Sequence, residues 1–186
     1  MVAIILNCLQ FNFALCIISV METHIENDIS YKVDTEKDVK HLGSETLLLD
    51  NQLCFALYSA SLTMTKIYKP LLQSLGVTYP QYLVMLTLWE RDEITVSEVG
   101  ERLYLDSGTL TPLLKRLELS GLVRRQRSVK DERQVIVSLT DQGNALRQDA
   151  RLIPQQVSCS AQCSLDELRA LTGQLQRLRA AMASNV

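Results

Sequence analysis

The stretch TVSEVGERLYLDSGTLTPLLKRLELSG, residues 95–121, decides the fold. Thr95 and Glu98 form T-x-x-E, a capping box, ahead of Val99 and Leu103. A break follows at Leu105-Asp106. Leu110, Leu113, Leu114 and Leu117 then recur at i, i+3, i+4, i+7, and Gly121 supplies a stop. Two short helices joined so tightly predict a helix-turn-helix. Pro112 falls inside the second helix if that helix starts at Ser107. Either residues 106–110 form an irregular turn, or Thr111 caps a helix with Pro112 first; both readings stay open.

Downstream, LVRRQR and RQVIVSLT are β-prone runs on either side of the polar SVKDE. A hairpin after a helix-turn-helix is a wing. Thr140 is placed to cap a long C-terminal helix beginning DQGNALRQDA. Ser164 with Glu167 makes a second capping box, before Leu165, Leu168, Leu171, Leu175 and Leu178. Upstream, Leu53, Leu57, Met64, Ile67 and Leu71 give a helical face within 47–75, which Pro70 should kink or interrupt and Gly76 should end. YPQYLVMLTLWE, with Pro80 near its start, is apolar nearly all round and predicts a buried helix. The C-terminal leucines lack an obvious partner, so the natural reading is a dimer seam formed with the helix at 47–75. The expected fold class is mainly α with a small β-hairpin: a winged helix-turn-helix over residues 47–186, dimeric through its N- and C-terminal helices.

Composition agrees. Apolar residues make up 47% of the 186 residues, enough for a sizeable core, while aromatics are only 5%, which favours helices over a sandwich. The five cysteines (Cys8, Cys16, Cys54, Cys159 and Cys163) are odd in number and irregular in spacing, so they are no secreted disulfide framework, and a cytoplasmic location is expected. His24 and His41 both lie in a polar arm, so no metal site is expected, and no Gly-rich loop points to a cofactor. Residues 1–21 carry no charge and are about long enough to span a bilayer. A membrane tether and a start codon assigned too early, with translation from Met21, are both open. Residues 22–46 read as a mobile acidic arm, so 1–46 is treated as an extension.

The net charge is −2, so any nucleic-acid site must be a local patch. One exists. Between Thr111 and Arg133 stand Lys115, Arg116, Arg124, Arg125, Arg127, Lys130 and Arg133 against Glu118, Asp131 and Glu132, a net charge of +4. Such runs are often solvated faces; the helix-turn-helix and wing point instead to double-stranded DNA. Ser107, Thr109, Thr111 and Arg116 occupy the exposed face of the recognition helix, suited to base edges. Arg133 at the hairpin turn is placed to probe the minor groove, with Asp131 orienting it.

The string DERQVIVSLTDQG, with Asp131, Arg133, Leu139, Thr140 and Gly143, resembles the wing of the multiple-antibiotic-resistance regulator (MarR) family. The string QLCFALYSASLTMTKIYKPLLQSLGVTYPQYLVMLTLWE is similar to the organic-hydroperoxide-sensing OhrR branch. The resemblance runs from about Leu47 to the C-terminus; the first 40 or so residues have no counterpart. It implies a homodimeric repressor of a peroxidase gene, binding a pseudo-palindromic operator until an organic hydroperoxide arrives. It implies Cys54 as the sensing thiol and Tyr68 and Tyr79 as phenols that hydrogen-bond it from the partner subunit, with Tyr58 a further nearby tyrosine. Ser107, Thr109 and Arg116 fall on recognition-helix contacts and Arg133 on the wing-tip arginine. Cys159 matches a second cysteine that some members use to trap the oxidised thiol between subunits, and Cys163 is an extra nearby. Resolution by Cys159, by Cys163 or by a small thiol stays open.

Cys54 and Tyr58 share a helix face, whereas Tyr68 lies about 21 Å further along at ~1.5 Å per residue. Tyr68 can serve Cys54 only from another chain, so the tyrosine role and the dimer stand together. Phenol hydrogen bonds favour the thiolate, the form a peroxide oxidises to sulfenic acid. An apolar surround of Phe55, Leu57, Tyr79 and Tyr82 suits an organic peroxide. Two rivals are kept: a MarR-type repressor released by a small phenolic ligand with Cys54 structural, and a thiol peroxidase. The peroxidase leaves the basic wing unexplained and lacks a Cys-x-x-Cys pair, so the expectation is a regulator and not an enzyme.

Overall fold

The computed structural model describes residues 44–185, so the apolar segment 1–21 and most of the acidic arm lie outside the described residues. The chain divides into two compact units, Met1–Gln52 and Leu53–Val186. The described end of the first unit consists of two 3₁₀ turns, Ser44–Leu47 and Leu49–Asn51. The helix expected from Leu47 therefore does not begin there. Leu48 and Gln52 are both extended, at ψ 135° and ψ 117°. The Gln52 amide donates to the carbonyls of Thr46 at 2.5 Å and Leu48 at 3.1 Å, holding the segment as a turn.

The second unit opens with α1, Leu53–Gln73. Pro70 lies inside it without interrupting it, against expectation. It sits in the last turn, so its missing N–H costs the helix only one bond, to Lys66. Gly76, at φ +66°, reverses the chain. Helix α2, Tyr79–Glu90, starts on a capping box in which Thr78 N–H donates to Gln81 Oε1 at 2.8 Å. As expected, α2 is the central helix: Val84, Met85 and Leu88 are fully enclosed.

Strand β1, Ile94–Thr95, leads into α3, Val96–Leu103, and α4, Ser107–Leu119. The Thr95/Glu98 capping box is formed as read, with Glu98 N–H donating to Thr95 Oγ1 at 3.1 Å. Neither reading of Pro112 holds. Asp106 caps α4, accepting from Thr109 N–H at 2.9 Å, and the helix runs on through Pro112. The proline sits in the second turn, where only the carbonyl of side-chain-free Gly108 loses its donor. Strands β2, Val123–Arg127, and β3, Val135–Leu139, form the antiparallel wing, with Arg125 opposite Val137. The two-residue β1 adds to β3, pairing Ile94 with Val137, to give the order β1-β3-β2.

The long helix expected from Asp141 is broken after Ala150, and the C-terminal region forms three: α5, Asp141–Ala150; α6, Ile153–Ala161; and α7, Leu165–Ala183, the last starting at the expected Ser164 cap. The break falls where Pro154, near the start of α6, has no N–H to offer the Ala150 carbonyl. Gln162, at φ +54°, turns the chain out of α6. The caps themselves stand as read: Thr140 Oγ1 accepts from Gly143 N–H at 3.0 Å, and Ser164 Oγ from Glu167 N–H at 3.1 Å. Leu72 of α1, Val99 of α3, Leu110, Leu114 and Leu117 of α4 and Val137 of β3 join α2 in one core. Helix α7 contributes no buried residue.

Candidate nucleic-acid interface and thiol site

Helix α4 presents Ser107, Thr109, Thr111 and Arg116 to solvent. Two are pre-set by the helix itself. Thr109 Oγ1 donates to Asp106 Oδ2 at 2.8 Å, and Thr111 Oγ1 donates to the Ser107 carbonyl at 2.7 Å. Each hydroxyl thus spends its proton inward and keeps its lone pairs for an outside donor. The Thr109 hydrogen bonds hold the Asp106 carboxyl below its ordinary range, so the cap stays ionised at neutral pH. An Asp immediately before a helical run is itself a start signal.

The wing is ordered by its own backbone. Ser128 N–H donates to the Gln134 carbonyl and Gln134 N–H to the Asp131 carbonyl, both at 2.9 Å. Asp131 Oδ1 accepts from Arg133 N–H at 3.1 Å and from its Nε at 3.2 Å, as the sequence suggests. The Arg133 side chain remains 92% exposed, aimed outward from a fixed base. Arg124 is exposed on β2. Arg125 differs: its guanidinium meets Glu118 Oε2 at 2.5 Å through Nη2 and 2.9 Å through Nε. The Arg125 guanidinium thereby braces β2 against α4. The Arg125 hydrogen bond holds the Glu118 carboxyl below its usual value.

Cys54 sits exposed in the first turn of α1, and Tyr58 one turn on is also open. The structure brings Tyr68 and Tyr79 together, with ring centroids 4.7 Å apart, and adds Tyr82 at 5.9 Å from Tyr68. Burial, and then the neighbouring phenols of Tyr79 and Tyr82, push Tyr68 up to about 12; burial raises Tyr79 and Tyr82 as well. These phenols keep their protons at neutral pH and remain donors. Tyr68 and Tyr79 line a groove of about 550 Å³ with Met64, Val157 and Leu168. The same chain does not bring Cys54 there, because α1 is unbroken between Cys54 and Tyr68. Tyr82 lies in the core rather than beside Cys54. Cys159, on α6, is exposed; Cys163, just after it, is half-buried and donates its S–H to the Ala161 carbonyl at 3.4 Å.

A capped recognition helix with solvent-facing hydroxyls, a braced hairpin ending in an outward arginine and a helical body define a winged-helix DNA-binding transcriptional regulator. A family profile described as "Transcriptional regulator SarA/Rot" matches residues 66–150. The "Organic hydroperoxide resistance transcriptional regulator" of Bacillus subtilis is 52% identical over 70% of this chain and 88% of its own. Reduced AbfR bound to DNA superposes with TM-score 0.62 at 39% identity, covering 74% of this chain and 96% of that one; the protein is from Staphylococcus epidermidis. Its disulfide form superposes with TM-score 0.51 at 40% identity, covering 72% and 94%. The chain belongs to the MarR family, in its organic hydroperoxide resistance (OhrR) branch. It is a DNA-binding transcriptional regulator and not an enzyme, which sets the peroxidase reading aside. No helix among the described residues is long and apolar enough to cross a membrane.

Proposed function

We propose that this regulator is a homodimeric repressor that holds a pseudo-palindromic operator until an organic hydroperoxide oxidises Cys54. The observation that carries the reading is the placement of Cys54 and Tyr68 near opposite ends of one unbroken helix, about 21 Å apart at ~1.5 Å per residue. A phenol so placed cannot serve its own chain's thiol. Tyr79 packs against Tyr68 with its ring tilted, and α6, which carries Cys159, borders the same groove through Val157. One antiparallel second copy along α1 therefore delivers Cys54 both to the tyrosine groove and towards Cys159. Leu53 and Leu62 of α1 and Leu171, Leu175 and Met182 of α7 are exposed, an apolar surface that such a copy covers.

In this reading the tyrosine hydroxyls donate to the Cys54 thiolate. The thiolate sulfur attacks the terminal peroxide oxygen: an S–O bond forms, the O–O bond breaks, and the alkoxide leaves as the alcohol by taking from solvent the proton that the thiol released on ionising. The resulting sulfenic acid is attacked by the partner's Cys159 thiol, forming S–S and releasing water. Cys163 is the alternative resolving thiol. The apolar groove favours an organic peroxide. A bridge or polar oxide in the seam changes the separation of the two recognition helices, and a few kcal/mol of such bias suffices to empty an operator. That a homologue, AbfR, has been solved reduced on DNA and in a disulfide form supports a thiol-governed cycle.

On DNA, Ser107, Thr109, Thr111 and Arg116 read the major groove, Arg124 meets phosphate, Arg133 enters the minor groove, and Asp131 and Arg125 position their neighbours. The test replaces Cys54 by Ser and adds cumene hydroperoxide to the protein–DNA complex. The parent dissociates and the variant stays bound; dissociation of the variant ends the sensing reading. The second reading, release by a small phenolic ligand with Cys54 structural, draws on the groove, whose volume of about 550 Å³ accommodates a phenol. It predicts release of the Ser variant by the phenol alone.

A further inference from the structure

Helix α7 has two faces with different destinations. Leu171, Leu175 and Met182 are exposed, on the side assigned above to the dimer seam. Gln176 faces a groove of the helix's own subunit together with Glu90, Glu101 and Tyr104. Arg179 continues that inner face, and its Cζ lies 4.5 Å over the centroid of the Tyr104 ring. This is cation–π geometry.

Tyr104 is an unusual residue to find there. It ends α3 in the left-handed region, at φ 56° and ψ 40°. Glycine or asparagine adopts that conformation more readily than an aromatic residue does. Burial does not account for the ring, which is 68% exposed. The residue stands in the turn of the helix-turn-helix, two positions before Asp106, the cap of α4. The next residue is pinned as well, since Leu105 N–H donates to the Gly100 carbonyl at 2.9 Å. Helix α3 is in turn tied to α2 by Arg102, whose Nη2 meets both Glu90 oxygens at 2.6 Å. A displacement applied at Tyr104 therefore reaches the start of the recognition helix through a short, hydrogen-bonded connection.

We propose that the Arg179–Tyr104 stack is a positioning contact that couples the seam face of α7 to the helix-turn-helix and sets the separation of the two recognition helices. The proposal rests on the dimer reading above. It assigns neither residue a contact with DNA or peroxide. Its expected signature is a loss of geometric discrimination rather than a general loss of binding.

The experiment uses the full chain in reduced form and a duplex recovered by selection from a randomised library with that chain. Affinity is measured for that duplex and for one with a base pair inserted between the half-sites. Arg179→Gln and Tyr104→Asn are compared with Tyr104→Phe. Asn suits the left-handed backbone, so its effect does not come from strain, and Phe retains the ring face. The first two variants should stay dimeric by sedimentation and form the Cys54 sulfenate at the parental rate. They should lose about fivefold in discrimination between the two duplexes, the scale of one exposed cation–π contact per subunit; Tyr104→Phe should match the parent. Parental discrimination in Arg179→Gln and Tyr104→Asn overturns the proposal, as does Phe behaving like Asn. A monomeric parent overturns it together with the dimer reading. A dimeric parent that peroxide fails to release defeats only the sensing reading, because the spacing measurement needs no oxidant.

Discussion

The indole Nε1 of Trp89 donates a 2.9 Å buried hydrogen bond to the carbonyl of Gly143, joining the central helix α2 to the first turn of α5. Gly143 also passes against the wing's base so closely that an added Cβ would collide with the Leu122 backbone carbonyl. Backbone cannot swing aside as a side chain can. Gly143→Ala should therefore cost about 3 kcal/mol, at the upper end of overpacking effects. The check is a denaturant titration, in which the midpoint falls and the slope is retained. An unchanged midpoint would show that α5 can shift away from Leu122 freely.

Arg133 is fixed at its base by Asp131 and exposed at its tip, whereas Arg124 is simply exposed. Arg133→Ala and Arg124→Ala should each leave the melting temperature nearly unchanged, as surface substitutions do. Each should lower DNA affinity, and each should reduce the slope of log affinity against log salt by about 1 for a lost phosphate or groove cation. Asp131→Asn retains an acceptor for the Arg133 backbone N–H but not the charge pairing, so its effect should be smaller. Fluorescence anisotropy across a salt series checks all three. A salt slope unchanged in Arg133→Ala would remove that residue from the interface.

Much of this architecture is legible in the residues because the signals are local. Thr95 and Glu98 announce a helix start, Leu110 to Leu117 a buried face, and the two β-prone runs a hairpin. The misreadings have physical reasons too. Pro70 and Pro112 look like breakers, but the cost of a proline depends on where it falls in a helix, and Pro80 and Pro154 instead stand in the first turns of helices that follow a break. Strand β1 has two residues, too few for any periodicity, and exists because β3 offers it an edge. The commitment of Arg125 to Glu118 joins a strand to a helix, and charge counting cannot tell a bridging guanidinium from a free one. The tyrosine cluster was named in part, but Tyr82 was placed beside Cys54, whereas its ring packs within 6.2 Å of Trp89 in the core. What serves Cys54 is set by association between chains, which no spacing within one chain records.

The Arg125–Glu118 pair should behave as a brace with a pH signature. Its hydrogen bond holds the Glu118 carboxyl below the ordinary value of 4.5. The folded state therefore binds that proton less readily than the unfolded state. The associated stability is fully present above about pH 4.5 and is lost as the pH falls through the lower folded value. Because both side chains are partly exposed, solvent screening limits the contribution to about 1 kcal/mol. Glu118→Gln should lower stability at pH 7 by about that amount and flatten this part of the acid profile. Arg125→Ala should weaken DNA binding through a loosened α4 with little change in salt slope, opposite to Arg124→Ala. Equal salt slopes for the two arginine variants would return Arg125 to the phosphate-binding set.

The assignment of Tyr68 and Tyr79 to the other subunit's thiol can be decided with mixed dimers. In homodimers, the double variant Tyr68→Phe, Tyr79→Phe should slow Cys54 sulfenate formation about tenfold or more, since a hydrogen bond to a charged group contributes ~1.5–3 kcal/mol. A dimer can then be assembled from one Cys54→Ser chain and one chain carrying both phenylalanines. Its single remaining thiol lies on the phenylalanine chain. If that thiol is served by its partner, it meets intact tyrosines and reacts at the parental rate. If it is served by its own chain, it reacts as slowly as the double variant. Burial keeps Tyr68 protonated to about 12, so the parental rate should hold its phenol dependence from neutral pH to pH 9. Trapping the sulfenate with a dimedone-type reagent and resolving the two chains by mass reads the outcome. A slow mixed dimer would place the phenols in cis, where the continuous α1 leaves them about 21 Å from the sulfur, and would remove the tyrosine groove from the sensing chemistry.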